Sequence, residues 1–309
     1  MSFKIVFMGT PEFAVPILKS LYYSDNKILE VYTQPPKKKN RGQKISFSPI
    51  HEYSNEIKIP VRHPVSLKTQ EEFKHIKKLK PDLVIVVAYG KILPSNFLNI
   101  KNSFFINAHA SLLPKWRGAA PMQRSILNCD KETGVTIMKI IPKLDAGPIL
   151  IKSKIKISKD INCEELSDQM SKLAANLILK AVDLIKKNEA KFTPQNDKNA
   201  SYAKKIEKPE SKIDWNLDAK NIIAKINAFH PNPGSWFNFK GSRIKIIKAI
   251  EVKIKGLPGE IINKDFTITC AQNAIKILEL KKEGKNTMTV KEFVKGNKLE
   301  IGFNILNNE

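Results

Sequence analysis

The chain has 309 residues and three cysteines, a length that exceeds the usual size of one domain and predicts two domains that each bury a core. The cysteines lie far apart and no run of 18 apolar residues occurs, which argues against a disulfide framework, a cysteine metal site and a transmembrane helix. The sequence opens on a short apolar run instead of a basic and apolar leader, so we expect a cytoplasmic protein without a membrane partner.

The formal net charge is +23, and arginine supplies only five of the 53 basic residues. A strongly basic surface attracts polyanions and speeds their association. However, the excess of lysine, asparagine and isoleucine is also typical of an A+T-rich coding sequence, and the charge is spread along the whole chain. The net charge by itself therefore leaves both interpretations open.

The first 190 residues have the pattern of an α/β domain. Apolar runs at residues 3–8, 28–33 and 82–88 predict short strands, and the last run lacks alternation, which is typical of a strand covered on both faces of a parallel sheet. Helical apolar spacing at residues 14–21 and 162–187 predicts helices that pack on this sheet.

A basic loop follows the second predicted strand, with prolines at its start and a glycine near its tip. One interpretation is a solvated surface loop, and the other is an arm that becomes ordered on a polyanion. The arginine in it is informative, because a guanidinium recognises phosphate through a planar fork that lysine lacks. The charged members of the loop are Lys37, Lys38, Lys39, Arg41 and Lys44.

The apolar run at residues 104–109 contains Asn107 and His109, which lie on the same side of a strand because strand side chains alternate. The asparagine amide is a neutral donor for a developing oxyanion, and histidine is the side chain whose ordinary pKa lies nearest neutrality. The pair therefore suits chemistry at a carbonyl carbon, although such a pair at a strand end is more often structural.

Further along, Asp145 lies in a loop rich in glycine and proline between predicted strands at residues 134–141 and 149–157. An aspartate in such a loop is usually a turn former. It becomes a candidate partner of His109 if the two loops lie on adjacent strand ends.

Periodicity is lost at residues 191–208, where we place a linker between an N-terminal domain of residues 1–190 and a C-terminal domain of residues 209–309. In the second domain, short apolar runs at turn-bounded intervals predict the strands of a small β barrel. These runs cover residues 236–239, 242–251, 259–262, 266–270, 275–280 and 298–301.

Five longer motifs carry a family resemblance. They are FMGTPEF at residues 7–13, VAYGKILP at 87–94, NAHASLLPKWRGAAP at 107–121, TGVTIM at 133–138 and LDAG at 144–147. With them, the sequence resembles the methionyl-tRNA formyltransferases, a family of folate-dependent formyltransferases, over nearly its whole length. The HASLLP block and the later aspartate are shared with sugar-nucleotide formyltransferases, whereas the basic loop and the second domain favour a tRNA substrate.

This resemblance implies an α/β fold with an open, mostly parallel sheet and helices on both faces, which is a Rossmann-like formyltransferase fold. A smaller OB-like β-barrel domain that binds tRNA would follow. The implied reaction transfers the formyl group of 10-formyltetrahydrofolate to the α-amine of initiator methionyl-tRNA for translation initiation. No metal is expected to take part, and we expect the protein to be a monomer.

The resemblance also assigns residues. Catalytic roles carry over to Asn107, His109 and Asp145. Folate contacts carry over to Tyr89, Gly90, Lys91, Ile92, Ser111, Leu112, Leu113 and Pro114. The implied tRNA contacts are the five basic residues of the loop, of which Arg41 matches an arginine that in the family engages the acceptor end of the tRNA.

The reaction sets simple chemical demands. The attacking α-amine has an ordinary pKa of about 7.7–8.0, so part of it is already neutral near pH 7. After attack on the formyl carbon, negative charge gathers on the oxygen while the amine becomes cationic. We expect Asn107 to donate to the oxyanion, His109 to join it or relay a proton, and Asp145 to orient His109 and help take the amine proton.

Two other functions stay open on the residues alone. A formyltransferase that acts on an amino-sugar nucleotide would keep the three catalytic residues but would not need the basic loop. A non-catalytic RNA-binding protein would be served by the charge and the barrel, although it would not require the three residues.

Overall fold

The computed structural model describes residues 2–39 and 44–308. The chain divides into two compact units. The first unit consists of Met1–Pro121, Glu132–Ile155 and Ser167–Ala203, and the second consists of Met122–Lys131, Lys156–Leu166 and Lys204–Glu309. Within the described ranges, no helix is long and apolar enough to cross a membrane.

A seven-stranded sheet, in the order β10-β9-β7-β6-β1-β2-β5, is the centre of the first unit, and two small ribbons, β3-β4 and β8-β11, lie apart from it. The strands are β1 (Lys4–Gly9), β2 (Lys27–Tyr32), β3 (Lys37–Lys39), β4 (Lys44–Ser46), β5 (Val61–Arg62), β6 (Leu83–Val87), β7 (Phe104–His109), β8 (Arg117–Gly118), β9 (Glu132–Lys139), β10 (Ile149–Lys156) and β11 (Tyr202–Ala203).

The pairing of these strands confirms the predicted fold class. β1 pairs in parallel with β2 and β6, β2 with β5, and β6 with β7, whereas β7 and β9 are antiparallel. All five residues of β6 are buried, and so are residues 5–8 of β1. Such continuous burial requires cover on both faces of the sheet, as the unbroken apolar runs predicted.

Some of the helices between residues 15 and 186 begin where side chains satisfy free backbone N–H groups. Ser48 accepts a hydrogen bond from the N–H of His51 at 3.1 Å, and Asn162 and Glu165 cap each other's N–H groups at 3.0 and 3.1 Å. The predicted helices at 14–21 and 162–187 are confirmed as α1 and α6. The helices are α1 (Val15–Tyr22), α2 (Pro49–Glu56), α3 (Gln70–Leu79), α4 (Ser95–Leu98), α5 (Pro121–Leu127) and α6 (Cys163–Lys186).

The predicted linker at residues 191–208 has regular contacts. Thr193 forms an antiparallel bridge with Ile149, and β11 pairs in parallel with β8. Residues 191–203 belong to the first unit, and a short 3-10 helix, Lys208–Ser211, follows in the second. The boundaries at residues 190 and 209 stay a prediction.

The second unit has an antiparallel sheet in the order β12-β13-β15-β14, with β16 paired to β15. Its core combines many isoleucines with packed aromatic rings. The ring centres of Trp215 and Phe237 lie 5.3 Å apart, and Phe266 stacks on Phe293 with ring centres 5.6 Å apart. Its elements are α7 (Ala219–Ala228), β12 (Ser235–Phe239), β13 (Ser242–Val252), β14 (Thr267–Thr269), β15 (Ala274–Lys282), β16 (Thr287–Thr289) and α8 (Val290–Gly296).

Two of the predicted strands in this unit are wrong. Residues 298–301 form no strand in the described structure, and residues 259–262 form only isolated bridges at Glu260 and Ile261. Helix α8 comes just before the first of these segments. It begins at a capping box in which Thr289 accepts from the N–H of Glu292 at 3.3 Å and the Glu292 carboxylate accepts from the N–H of Thr289 at 2.8 Å.

Candidate active site

Strand β7 carries Asn107 and His109 in the first unit. β7 lies between β6 and β9 in the sheet. Asn107 is in register with Val86 of β6, and His109 is in register with Thr136 of β9. His109 is buried and is the last residue of the strand, whereas Asn107 is half-buried. Both side chains therefore project from the same face at the carboxyl end of a central strand, where ligands of open α/β sheets bind.

The two ring nitrogens of His109 face different groups. Nε2 lies 2.9 Å from the backbone oxygen of Trp116, and a carbonyl oxygen only accepts, so Nε2 carries the proton. Nδ1 lies 3.7 Å from Oδ2 of Asp145. In the neutral imidazole Nδ1 is then the basic nitrogen, and its protonation creates an ion pair with this carboxylate.

The Asp145 loop is tightly constrained. Asp145 has a φ of 45°, in the left-handed region that residues with a Cβ avoid, and its Oδ2 accepts a hydrogen bond from the N–H of Gly118 at 2.9 Å. A Cβ at Gly147 would lie 1.7 Å from the backbone oxygen of Lys139, so only glycine permits the close return of this loop to the end of β9. The structure thus brings His109 and Asp145 together.

The Asn107 amide differs from these two side chains. Within residues 2–39 and 44–308, no hydrogen bond engages its side chain. A half-buried amide without a protein partner keeps its donors for a bound group, whereas an amide engaged in the fold would first have to break a bond.

The predicted folate contacts at residues 89–92 lie in different environments. Tyr89 is buried, which raises the pKa of its hydroxyl, and its backbone oxygen accepts from Thr10 Oγ1 and Gln34 Nε2, both at 3.0 Å. Gly90 has a φ of 80° and Ile92 is 84% exposed. The Lys91 amine donates to the backbone oxygens of residues 64 and 65, so it fastens that segment.

The second predicted folate segment, residues 111–114, is held by Thr136 on β9. The Thr136 hydroxyl donates to the backbone oxygen of Ser111 at 2.7 Å and accepts from the N–H of Leu113 at 3.1 Å. Ser111 and Leu113 are buried, and Leu112 and Pro114 are half-buried. Sequence reasoning assigned no role to Thr136, although it lies in the TGVTIM motif.

The basic loop forms a short two-stranded ribbon where it is described. Lys37, Lys38 and Lys39 of β3 are in register with Ser46, Ile45 and Lys44 of β4. Lys37 is exposed, and Ile45 is 67% exposed. The predicted contact Arg41 lies outside the described residues.

Metal ligation has no evident basis in this part of the chain. Among the residues described, no group of three or more histidine, cysteine, aspartate or glutamate side chains is arranged to hold an ion.

Two family models match the chain. A formyl transferase model matches residues 3–182, and a model of the formyl transferase C-terminal domain matches residues 205–298. A methionyl-tRNA formyltransferase of Pelagibacter ubique is 50% identical over 309 residues, which cover 99% of this chain and 100% of that protein. A methionyl-tRNA formyltransferase of Chelativorans is 39% identical, and the match covers 98% of this chain and 99% of that protein.

Solved structures share the fold at lower identity. An N-formyltransferase from Helicobacter canadensis in complex with folinic acid and dTDP-3-aminofucose has a TM-score of 0.67 at 21% identity, over 90% of this chain and 99% of that one. HypX from Aquifex aeolicus in complex with tetrahydrofolic acid has a TM-score of 0.65 at 17% identity. That match covers 98% of this chain and 51% of the HypX chain. The two matching family models and the full-length methionyl-tRNA formyltransferase relatives establish that this chain belongs to the formyl transferase family.

Proposed function

We propose that the chain transfers the formyl group of 10-formyltetrahydrofolate to the α-amine of methionyl-tRNA, the step that prepares initiator tRNA for translation. The observation that carries this function is the 50% identity over the full length with a methionyl-tRNA formyltransferase. The contact between His109 and Asp145 at the end of β7 supports it, because such a pair suits proton transfer at a carbonyl centre.

Asn107, His109 and Asp145 are the catalytic residues of this proposal. The amine nitrogen forms a bond to the formyl carbon, the bond from that carbon to the folate nitrogen breaks, the amine loses a proton, and the folate nitrogen gains one. Asn107 donates to the oxygen that becomes negative during attack. No hydrogen bond from the described residues engages its amide, which supports this role.

His109 takes the amine proton on Nδ1, because Nε2 already donates to Trp116. The Asp145 carboxylate, 3.7 Å away, stabilises the imidazolium that results. The N–H of Gly118 holds Oδ2 in place, so the carboxylate stays opposite the ring throughout the proton transfer.

The folate binds against Tyr89, Gly90, Lys91 and Ile92 and against residues 111–114. Exposed backbone at Gly90 and the exposed side chain of Ile92 support this surface, since they lie after the buried strand β6. Tyr89 and Lys91 contribute by shaping the segment, because the first is buried and the amine of the second bonds to backbone oxygens.

The basic ribbon and the second unit bind the tRNA. Lys37, Lys38, Lys39 and Lys44 belong to the ribbon, and Arg41 falls between them in the sequence. A ribbon of this charge suits the phosphates of an acceptor stem.

The protein acts as a monomer in the cytoplasm, where aminoacylated initiator tRNA is used. Light scattering with and without tRNA tests the monomeric state.

One assay tests the function. The protein is incubated with 10-formyltetrahydrofolate and either methionyl-tRNA or a dTDP-linked amino sugar, and formylated product is measured. Formyl-methionyl-tRNA is the expected product. Product on the amino sugar alone would favour the sugar-nucleotide alternative, and tRNA binding without product would favour the non-catalytic RNA-binding alternative.

A further inference from the structure

We propose that Gln195, held by the buried Arg117, is a positioning residue that keeps Asp145 opposite His109 during formyl transfer. This inference rests on the proposed catalytic roles of His109 and Asp145. Neither Gln195 nor Arg117 has a function predicted from the sequence, and Gln195 lies in the segment that the sequence predicts to be a linker.

All the polar atoms of the Gln195 amide are engaged. Nε2 donates to the backbone oxygen of Asp145 at 2.9 Å and to that of Gly147 at 2.7 Å, while Oε1 accepts from Arg117 Nε at 3.0 Å and Nη2 at 2.8 Å. Carbonyls require a donor and a guanidinium requires an acceptor, so only one orientation of the amide fits. Gln195 therefore fixes the Asp145 loop to Arg117.

Arg117 is itself immobilised. Its side chain is fully buried, and Nη2 forms an ion pair with Asp197 Oδ1 at 2.8 Å. Lys143, two residues before Asp145, reaches the other oxygen of the same carboxylate at 2.5 Å. The hydrogen bonds from Lys143 and from Arg117 hold the pKa of Asp197 below its ordinary value. The loop is thus attached at Lys143 as well as at its two carbonyls.

The backbone beside Arg117 contacts both members of the catalytic pair. The oxygen of Trp116 accepts from His109, and the N–H of Gly118 donates to Asp145. Arg117 lies between these two residues, and its strand β8 is fixed by parallel pairing to β11. One three-residue segment therefore sets the histidine tautomer, the carboxylate position and the Gln195 contact together.

Asp145 needs this support because of its backbone. A φ of 45° is unfavourable for a residue with a Cβ, and the surrounding contacts must maintain it. Without the Gln195 donors, the loop relaxes and the carboxylate moves away from Nδ1. A small misplacement of a catalytic group lowers the rate without lowering substrate affinity to the same degree.

The test is a double-mutant cycle on the full-length enzyme. Gln195→Met keeps the size of the side chain but removes its donors and acceptor, and we expect kcat for methionyl-tRNA formylation to fall about 10²-fold with KM for both substrates within about threefold. Gln195→Glu still accepts from Arg117 but has no donor for the carbonyls, so it should lose as much. Gln272→Met, at an exposed glutamine of the second unit, should not change kcat.

The decisive comparison is made in an Asp145→Asn background under single-turnover conditions. If Gln195 acts through Asp145, Gln195→Met should cost little further activity there. An undiminished loss in that background, or an unchanged kcat for both Gln195 variants, would overturn the inference. A fully active Asp145→Asn enzyme would instead contradict the proposed catalytic role, so the two failures are distinguishable.

Discussion

Asn107 and His109 differ in what the fold requires of them. Both ring nitrogens of His109 face protein groups, at 2.9 Å from Trp116 and 3.7 Å from Asp145. Asn107 has no such partner in the described part of the chain. A residue that the fold does not use is the more direct test of catalysis, because its replacement costs little stability.

We therefore expect Asn107→Ala to lower kcat by about 10²–10³, the usual effect of losing one oxyanion donor, with the KM for folate nearly unchanged. Steady-state kinetics measures kcat and KM, and a thermal melt measures the stability, which should change little. The control is Asn55→Ala on the exposed face of α2, which should alter neither. Retention of wild-type kcat by Asn107→Ala would remove the oxyanion role.

The ion pair between Arg124 and Glu210 makes the stability of the folded protein depend on pH. In the second unit, Arg124 pairs with Glu210 at 2.6 Å, and this hydrogen bond holds the pKa of Glu210 below its ordinary value of 4.5. A carboxylate with a lowered pKa stabilises the folded state above its ordinary pKa, and this stabilisation disappears as the pH falls through the lowered value.

Arg124→Gln should thus cost about 1 kcal/mol more unfolding free energy at pH 7 than at pH 3, a small value because both side chains are partly exposed. The substitution also removes the hydrogen bonds from Arg124 to the backbone oxygens of residues 204 and 205, and this loss of stability does not depend on pH. Urea unfolding at several pH values measures the difference. Arg243→Gln is the control, because that guanidinium lies 3.9 Å from the Trp236 ring instead of a carboxylate. Equal pH dependence of the two variants would refute the prediction.

The conformation of the Asp145 loop depends on one glycine. Gly147→Ala would bring a Cβ to 1.7 Å from the Lys139 backbone oxygen, so the loop must move. We expect a loss of about 1–3 kcal/mol in unfolding free energy and a lower kcat, because the displaced loop carries Asp145. The matched control is Gly296→Ala, where a Cβ meets nothing within 4 Å. A Gly147→Ala enzyme with normal kcat would show that the loop tolerates displacement.

The basic ribbon is the other element with a separable role. Replacement of Lys37, Lys38, Lys39 and Arg41 by alanine should raise the KM for methionyl-tRNA and leave the KM for folate unchanged. The slope of log affinity against log salt should flatten by about 0.7–0.9 for each phosphate that the protein no longer neutralises.

Alanine at Lys74, Lys77 and Lys78 of α3 removes comparable charge from a helix and serves as the control for net charge. If the two sets of variants change the salt slope equally, the ribbon has no specific role in tRNA binding. A solvated surface loop would then be the better interpretation.

For the whole molecule, local patterns predicted much of the fold. Unbroken apolar runs identified the central strands, since residues 5–8 and all of β6 are buried. Helix α8 was not predicted although its capping box is local, because the short apolar run after it favours a strand. The family resemblance and the fold class are confirmed, whereas the roles of the site residues stay predictions.

The order of the residues suffices to predict which chemical groups are present and that Asn107 and His109 project from one face of β7, because strand alternation is a property of neighbouring residues. The distance of 3.7 Å between Asp145 and His109, and the hydrogen bond from Gln195 to the Asp145 loop, depend on how distant segments pack together. The partners of Gln195 include backbone carbonyls 48 and 50 residues away, and every residue offers such a carbonyl. A contact of that kind leaves no pattern along the chain, so its existence follows from packing alone.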